Sequence, residues 1–290
     1  MKRTIKLVHL YVICLMFLGC KSVNENSLTK SSDVTLKLMS YNIRLDIASD
    51  GENAWPNRRN FLSSQILFLD PDIFGVQEAR PNQIQDLNKA LPNYQFIGIG
   101  RDNNGEGEHA AIYYNSRHMG VEREDTFWLS NTPNEVSKDW DAAYPRVCTY
   151  GLFTSLRNQR KFWVFNTHLD HVGTVSRQKS IQLILKKIKL VNTENYPVML
   201  MGDFNVEPQS EVVAEISNTM TDSKDIAQIE FGPDGTFNGF KYNEPNARRI
   251  DYIFVSKLPN VEVHKYGVLS SAINFKFPSD HFPVFIEIEF

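Results

Sequence analysis

The chain has 290 residues, 42% hydrophobic, 12% aromatic and 22% charged, a balance that fits a soluble globular protein and excludes a disordered or fibrous class. Its formal net charge of -3 excludes an overall basic surface of the kind that grips long polyanions nonspecifically, though not a local basic cleft. Of the cysteines Cys14, Cys20 and Cys148, only Cys148 falls in the globular part, so no disulfide is available there.

Lys2, Arg3 and Lys6 form a basic start, and Leu7 to Leu18 is an apolar run too short to span a bilayer comfortably. The run ends at Phe17-Leu18-Gly19-Cys20, where a small residue directly before a cysteine resembles a bacterial lipobox. Residues 1–20 are therefore read as a signal peptide with Cys20 lipidated, and a plain secretory signal is the other reading. Its removal takes three cations and no acid, moving the net charge from -3 to -6. Residues 21–33 are rich in Ser, Asn and Lys, a tether composition unable to bury a core.

Val34 to Tyr41 alternates as a strand. Asn57 to Leu69 has helical spacing and stops before Pro71. Ile73 to Val76 reads as a buried strand that leads into Gln77-Glu78. Pro81 opens a helix with Ile84, Leu87 and Leu91 facing inward. Strands follow at Tyr94 to Ile99, Ala110 to Tyr114 and Val121 to Leu129. Val147 to Leu156 and Lys161 to Thr167 pair as a hairpin. In its second strand Phe162, Val164, Asn166 and His168 share a face. Ser176 to Val191 is the clearest helix, with Ile181, Ile184, Leu185 and Ile188 in one stripe. Pro197 to Met201, Ile250 to Val255 and Phe282 to Phe290 are further strands, and Val212 with Ile216 suggests a short helix. Several consecutive strands lack helical crossovers. That favours two packed sheets with helices outside, in one domain over 34–290.

In six places an apolar run stops at a polar group suited to metal or phosphate. They are Ser40-Tyr41-Asn42, Val76-Gln77-Glu78, Asn166-Thr167-His168-Leu169-Asp170-His171, Gly202-Asp203-Phe204-Asn205, Arg249-Ile250-Asp251-Tyr252 and Ser279-Asp280-His281. Any one could be an ordinary strand end. Together they supply oxygen ligands, a water-activating carboxylate, an amide donor and histidines, the set that metal-assisted hydrolysis of a phosphate ester needs.

These segments resemble the endonuclease/exonuclease/phosphatase superfamily, relatives of DNase I and exonuclease III, over roughly Val34 to Phe290. The resemblance implies an α/β four-layer sandwich of two packed β-sheets flanked by helices. It also implies a divalent metal, Mg²⁺ or alternatively Mn²⁺. On this basis Glu78, Asn42 and Asp280 are the expected metal side of the site. Asp203 would orient or deprotonate the attacking water and Asn205 would donate to phosphate. His281 would contact phosphate or move a proton, with Asp251 fixing its tautomer, and His168 would stabilise developing charge. Arg44, Arg101, Arg146, His171 and Asn238 are the expected substrate contacts. Trp55, Trp128 and Trp140 are expected mainly as packing residues.

Some DNA-repair members carry an Asp where this chain has Arg44, so a second acidic metal contact there is not expected. Inositol-polyphosphate phosphatases carry a Trp/Asp/Arg segment where Arg249 to Tyr252 stands, which argues against that substrate class. The leading expectation is a nuclease or phosphodiesterase at the cell envelope, anchored by lipid. A small-molecule phosphatase comes next, then a sphingomyelinase-type lipid phosphodiesterase, although no exposed aromatic hairpin is evident. A catalytically silent binding module is the non-enzyme alternative. The substrate is either nucleic acid or a small phosphate ester, and no protein partner is inferred.

Overall fold

The first strand, β1 (Leu36–Asn42), divides its side chains between two cores. Leu36 and Leu38 enter the layer between the sheets, while Met39 and Tyr41 pack beneath helices. The division follows from the two-residue period of an extended chain. The computed structural model describes residues 35–245 and 248–290. The signal peptide, Cys20 and the tether expected over 1–33 lie outside the described residues.

After β1 come α1 (Trp55–Leu69), β2 (Ile73–Gln77), α2 (Pro81–Ala90), β3 (Tyr94–Ile97) and β4 (Ile112–Asn115). The middle of the chain holds β5 (Met119–Trp128), β6 (Val147–Ser155), β7 (Lys161–His168), α3 (Thr174–Val191) and β8 (Val198–Asp203). The last part holds α4 (Glu211–Ser217), β9 (Met220–Asp222), β10 (Ile229–Phe231), β11 (Asp251–Ser256), β12 (Glu262–Val268) and β13 (Val284–Glu289).

The strands build a seven-stranded sheet in the order β10-β12-β13-β1-β2-β4-β3 and a six-stranded sheet in the order β5-β6-β7-β8-β11-β9. Between the sheets lie Leu38, Ile73, Phe153, Phe162, Val164, Met199, Met201, Ile253 and Ile286, among others. Leu62 and Ile66 of α1 and Ile84 and Leu87 of α2 cover the outer face of the first sheet. Ile181 and Ile184 of α3 and Val212 and Ile216 of α4 cover the second. This is the four-layer α/β sandwich expected from the sequence. Among the described residues no helix is long and apolar enough to cross a membrane.

Local sequence explains the helix ends. Proline sits in the first turn of both α1 and α2, where its missing N–H costs no hydrogen bond. Gln83 Oε1 accepts the Arg80 N–H at 3.1 Å and closes the start of α2. Asp70, with φ of 45°, takes the left-handed cap that ends α1, and Pro71 follows.

The strands β9, β10 and β12 are absent from the sequence expectation. The first two have three residues each, too few for a period to register. In β12 a register shift between Val263 and Lys265 breaks the alternation.

One polar seam crosses the inner layer. Gln77 Nε2 donates to Asn166 Oδ1 at 2.7 Å, and Asn166 Nδ2 donates to the Val76 and Ala111 carbonyls at 3.0 and 2.9 Å. The Asn166 side chain fits because residue 75 is glycine, where a Cβ would meet it at 2.6 Å. This buried network leaves Gln77 Oε1 without a partner, and it ties one sheet to the other next to the polar strand ends.

Candidate active site

The pairing of strands places the polar ends together. β1 and β2 run parallel with Asn42 beside Gln77, so Glu78 follows at the same end. In the other sheet β7 and β8 run parallel with His168 beside Asp203, and antiparallel β11 begins with Asp251 beside Asp203. The inward apolar rows Phe162-Val164 and Met199-Met201 thus continue by two-residue steps to His168 and Asp203. Ser279 to His281 precedes β13 and is held there by the Ser279 hydroxyl donating to the Asn42 carbonyl at 2.7 Å.

Glycine is required at 202. Its φ is 147°, and a Cβ would lie 1.9 Å from the Thr167 carbonyl oxygen. Asp203 and His168 sit side by side because this backbone approach is allowed.

Asn42 Nδ2 donates to Glu78 Oε1 at 3.1 Å and to Asp203 Oδ2 at 2.9 Å. The Leu45 N–H donates to Glu78 Oε2 at 3.0 Å. His281 Nδ1 meets Asp251 Oδ2 at 2.9 Å, and His281 Nε2 lies 3.8 Å from Asp203 Oδ2. His168 Nε2 lies 3.5 Å from Asp203 Oδ2. Asn205 Nδ2 approaches His168 Nε2 and the Leu169 carbonyl, both at 3.0 Å. Glu78, Arg44 and Asn205 all have left-handed backbones, with φ of 63°, 55° and 52°. Such conformations in non-glycine residues hold only where the surroundings impose them.

The electrostatics follow from burial and crowding. Burial raises the proton affinity of Asp203, and the nearby Asp251 charge adds to it. Burial likewise raises Asp280, reinforced by Glu78 and opposed by His281 and Arg44. Burial alone would lower His281, but the Asp251 charge and hydrogen bond, with Asp203 and Asp280, outweigh it and keep the ring protonated. Burial and then the Arg146 and Arg101 charges push His168 well down, so this second imidazole is neutral.

The donor set fits a hard divalent cation. Glu78, Asp203 and His281 offer ligand atoms all within 4.8 Å of one another. Mutual repulsion among Glu78, Asp203 and Asp280 is what a cation would relieve. The protonated His281 is a poor ligand, so the carboxylates are the better candidates. Arg44 reaches the same region, 3.9 Å from Glu78 and 3.8 Å from Asp280, while its main partner is Asp50 at 2.9 Å.

A cavity of about 530 Å³ opens over this cluster, lined by Glu78, His168, Asp203, Asn205, Asp280 and His281 with five arginines: 44, 80, 101, 146 and 248. Four of these arginines are paired with carboxylates: Arg44 with Asp50, Arg101 with Glu108, Arg146 with Asp170 and Arg248 with Glu207. Asn42 and Asp251 are fully buried behind the cavity, Asn42 with its Oδ1 accepting the Arg44 N–H at 3.0 Å. Arg101 is paired with Glu108, and Arg146 with Asp170 at 3.4 Å and His171 at 3.1 Å.

Asn238, expected as a substrate contact, is buried and is not among the residues lining the cavity. Its Nδ2 donates to the Ser279 carbonyl at 3.1 Å and its Oδ1 accepts the Phe240 N–H at 2.8 Å, so it braces the Asp280 segment from behind. Trp55 and Trp128 are buried, donating to Asp86 and to the Arg101 carbonyl. Glu108 and Tyr144 also line the cavity and escaped the sequence reading. Each lies in a loop without periodicity, and position alone does not single out one loop residue from its neighbours.

Comparison with known proteins covers most of the chain. The sequence profile described as the Endonuclease/Exonuclease/phosphatase family matches residues 39–281. The structure of a mannosyl-6-phosphatase from Bacteroides thetaiotaomicron superposes with a TM-score of 0.83 at 37% identity, covering 88% of this chain and 100% of that one. An uncharacterized protein of Acanthamoeba polyphaga mimivirus is 27% identical, covering 81% of this chain and 92% of that protein. A probable RNA exonuclease of Saccharomyces cerevisiae is 24% identical over 67% of this chain, which spans only 43% of that protein.

Proposed function

The chain belongs to the endonuclease/exonuclease/phosphatase family, whose members hydrolyse phosphate esters, and from that premise we propose a Mg²⁺-dependent phosphatase acting on a phosphorylated sugar at the cell envelope. One observation carries the choice of substrate size. The polar cluster lies in a cavity of about 530 Å³, the scale of a small-molecule site. The similarity to the mannosyl-6-phosphatase supports a sugar monoester, and we therefore rank the small-molecule phosphatase ahead of the nuclease expected first from the sequence. The yeast exonuclease relative keeps nucleic acid as the second reading.

In this reading the carboxylates of Glu78, Asp203 and Asp280 would hold the cation. The cation would polarise a phosphoryl oxygen as a Lewis acid. Asp203 Oδ2 takes the proton of the attacking water, and burial suits it to do so by favouring its neutral form. His281, kept protonated by Asp251, presents Nε2–H to the phosphate or the departing oxygen. Asn205 would turn one Nδ2 hydrogen from neutral His168 to a phosphoryl oxygen and keep the other on the Leu169 carbonyl. Arginines of the cleft draw the anion in.

The test uses the full-length chain with Mg²⁺ or EDTA on mannose 6-phosphate, p-nitrophenyl phosphate, bis(p-nitrophenyl) phosphate and single-stranded oligonucleotides. Metal-dependent turnover should favour the monoesters, with the sugar phosphate ahead. Cleavage confined to diesters or oligonucleotides would return the nuclease reading. Silence on every substrate would leave the binding module.

The envelope location rests on the basic start, the apolar run and Gly19-Cys20. Metabolic labelling with palmitate should mark the protein, and Cys20→Ser should abolish both the label and membrane sedimentation. An unlabelled, fully soluble wild-type protein would remove the anchor.

A further inference from the structure

Part of the cavity wall has a composition that phosphate binding does not explain. Arg101 gives Nη1 and Nη2 to Glu108 at 2.9 and 2.8 Å. Its guanidinium lies 5.0 Å from the Tyr144 ring centroid. Tyr144 is 51% exposed and stacks with His171 at 6.0 Å and 16°. Arg146 lies 4.0 Å from Glu108 and 3.4 Å from Asp170. Arg101 and Arg146 are only 8% and 5% exposed, and Arg101 Nε and Arg146 Nη1 are buried there without a hydrogen-bond partner.

A wall meant for a second phosphate would leave its cations uncompensated. Here each arginine faces a carboxylate, Glu108 for one and Asp170 for the other. A second anion would meet the Glu108 charge directly. What the wall offers is a nearly neutral set of fixed donors and acceptors beside the half-exposed Tyr144 ring. A sugar uses that combination: each hydroxyl both donates and accepts, and the C–H face of the ring packs on an aromatic surface.

We propose that Glu108, Arg101 and Tyr144 form the subsite that reads the hydroxyl pattern of the sugar whose phosphate is removed, an inference that rests on the sugar-phosphatase reading. Glu108 accepts from hydroxyls, Arg101 donates to them and fixes the carboxylate, and Tyr144 supplies the stacking face. The phosphate lies against Asn205, His168 and His281. Selectivity among sugars and cleavage of the ester are thus carried by different residues of one cavity.

The test compares kcat/KM for mannose 6-phosphate, glucose 6-phosphate, adenosine monophosphate and p-nitrophenyl phosphate in the full-length chain and in Glu108→Gln and Tyr144→Ala. Glu108→Gln keeps the side-chain shape, and Tyr144 is exposed enough for its truncation to leave the fold intact. Both variants should lose at least about tenfold more on the preferred hexose phosphate than on p-nitrophenyl phosphate, mainly through KM, and discriminate less between the two hexoses. Equal losses on all substrates would overturn the subsite. Adenosine monophosphate as the preferred substrate, lost in the same variants, would overturn the sugar class in favour of a nucleoside. No monoester turnover in the unaltered chain would remove the sugar-phosphatase reading and the subsite with it.

Discussion

Asn42 and Asp203 stand 161 residues apart and meet between the two sheets, the Asn42 amide donating to Asp203 Oδ2 at 2.9 Å. The same nitrogen donates to Glu78 at 3.1 Å. One uncharged side chain thus holds a buried carboxylate, Asp203, and a partly buried one, Glu78, that would otherwise repel each other. Asn42→Ala should lower kcat by about 10–100-fold and raise the Mg²⁺ concentration needed for half-maximal rate, the usual cost of losing a residue behind a metal site. A variant with the wild-type rate and Mg²⁺ titration would show that the bridge does not matter.

The proposed division of labour makes Asp203 and His281 the residues most sensitive to substitution. Asp203→Asn keeps the shape but cannot accept the proton, and His281→Ala removes the imidazolium that Asp251 holds at 2.9 Å. Each should cut turnover by about 10³-fold or more. Near-UV circular dichroism should change little. Full activity in both variants would remove the site assignment.

The pole of the fold where the site lies was readable because the same alternation that buries Phe162 and Val164 carries His168 to the end of their row. The joining of distant segments was not readable in this way, since Asn42 and Asp203 meet only through packing of the two sheets. The loop residues Glu108 and Tyr144 carry no periodicity and are recognised only by where the chain brings them. The Ile273 to Lys276 turn is similar: Asn274 and Phe275 have φ of 50° and 61°, a left-handed pair usually announced by Asn-Gly. Its Phe275 is 75% exposed, an aromatic turn that the sequence did not reveal.

Gly202 should tolerate no side chain. A Cβ would stand 1.9 Å from the Thr167 oxygen, which is backbone and cannot rotate away, and φ is 147°. Gly202→Ala should destabilise the fold by about 3 kcal/mol or more. Urea unfolding at neutral pH would measure it, and a midpoint equal to wild type would contradict the close approach of β7 and β8.

Asp170 should make stability acid-sensitive. Burial alone would raise its proton affinity, but the Gly173 and Val172 N–H groups, at 2.8 and 3.0 Å, and Arg146 outweigh burial and bring it down to about 2. The folded value lies below the ordinary carboxylate value of about 3.9, so the stabilisation is present above that value and lost as pH falls through about 2. Asp170→Asn should cost about 2 kcal/mol at pH 7, with roughly half that gap left at pH 3. Urea midpoints across this range decide it, and a gap independent of pH would mean that ionisation of Asp170 does not stabilise the fold.

Removing residues 282–290 should prevent folding. The strand β13 pairs with β1 on one side and β12 on the other, so it lies inside its sheet. Its Val284, Ile286 and Ile288, with Phe282 and Phe290, all enter the core between the sheets. Loss of five buried apolar side chains, at about 1.5–3 kcal/mol each, exceeds the stability of an ordinary domain near its lower range. It would also expose the backbone groups of β1 and β12. The truncated protein should be insoluble or show no cooperative melt, whereas a soluble protein with a cooperative transition would mean that the seven-stranded sheet closes without its C-terminal strand.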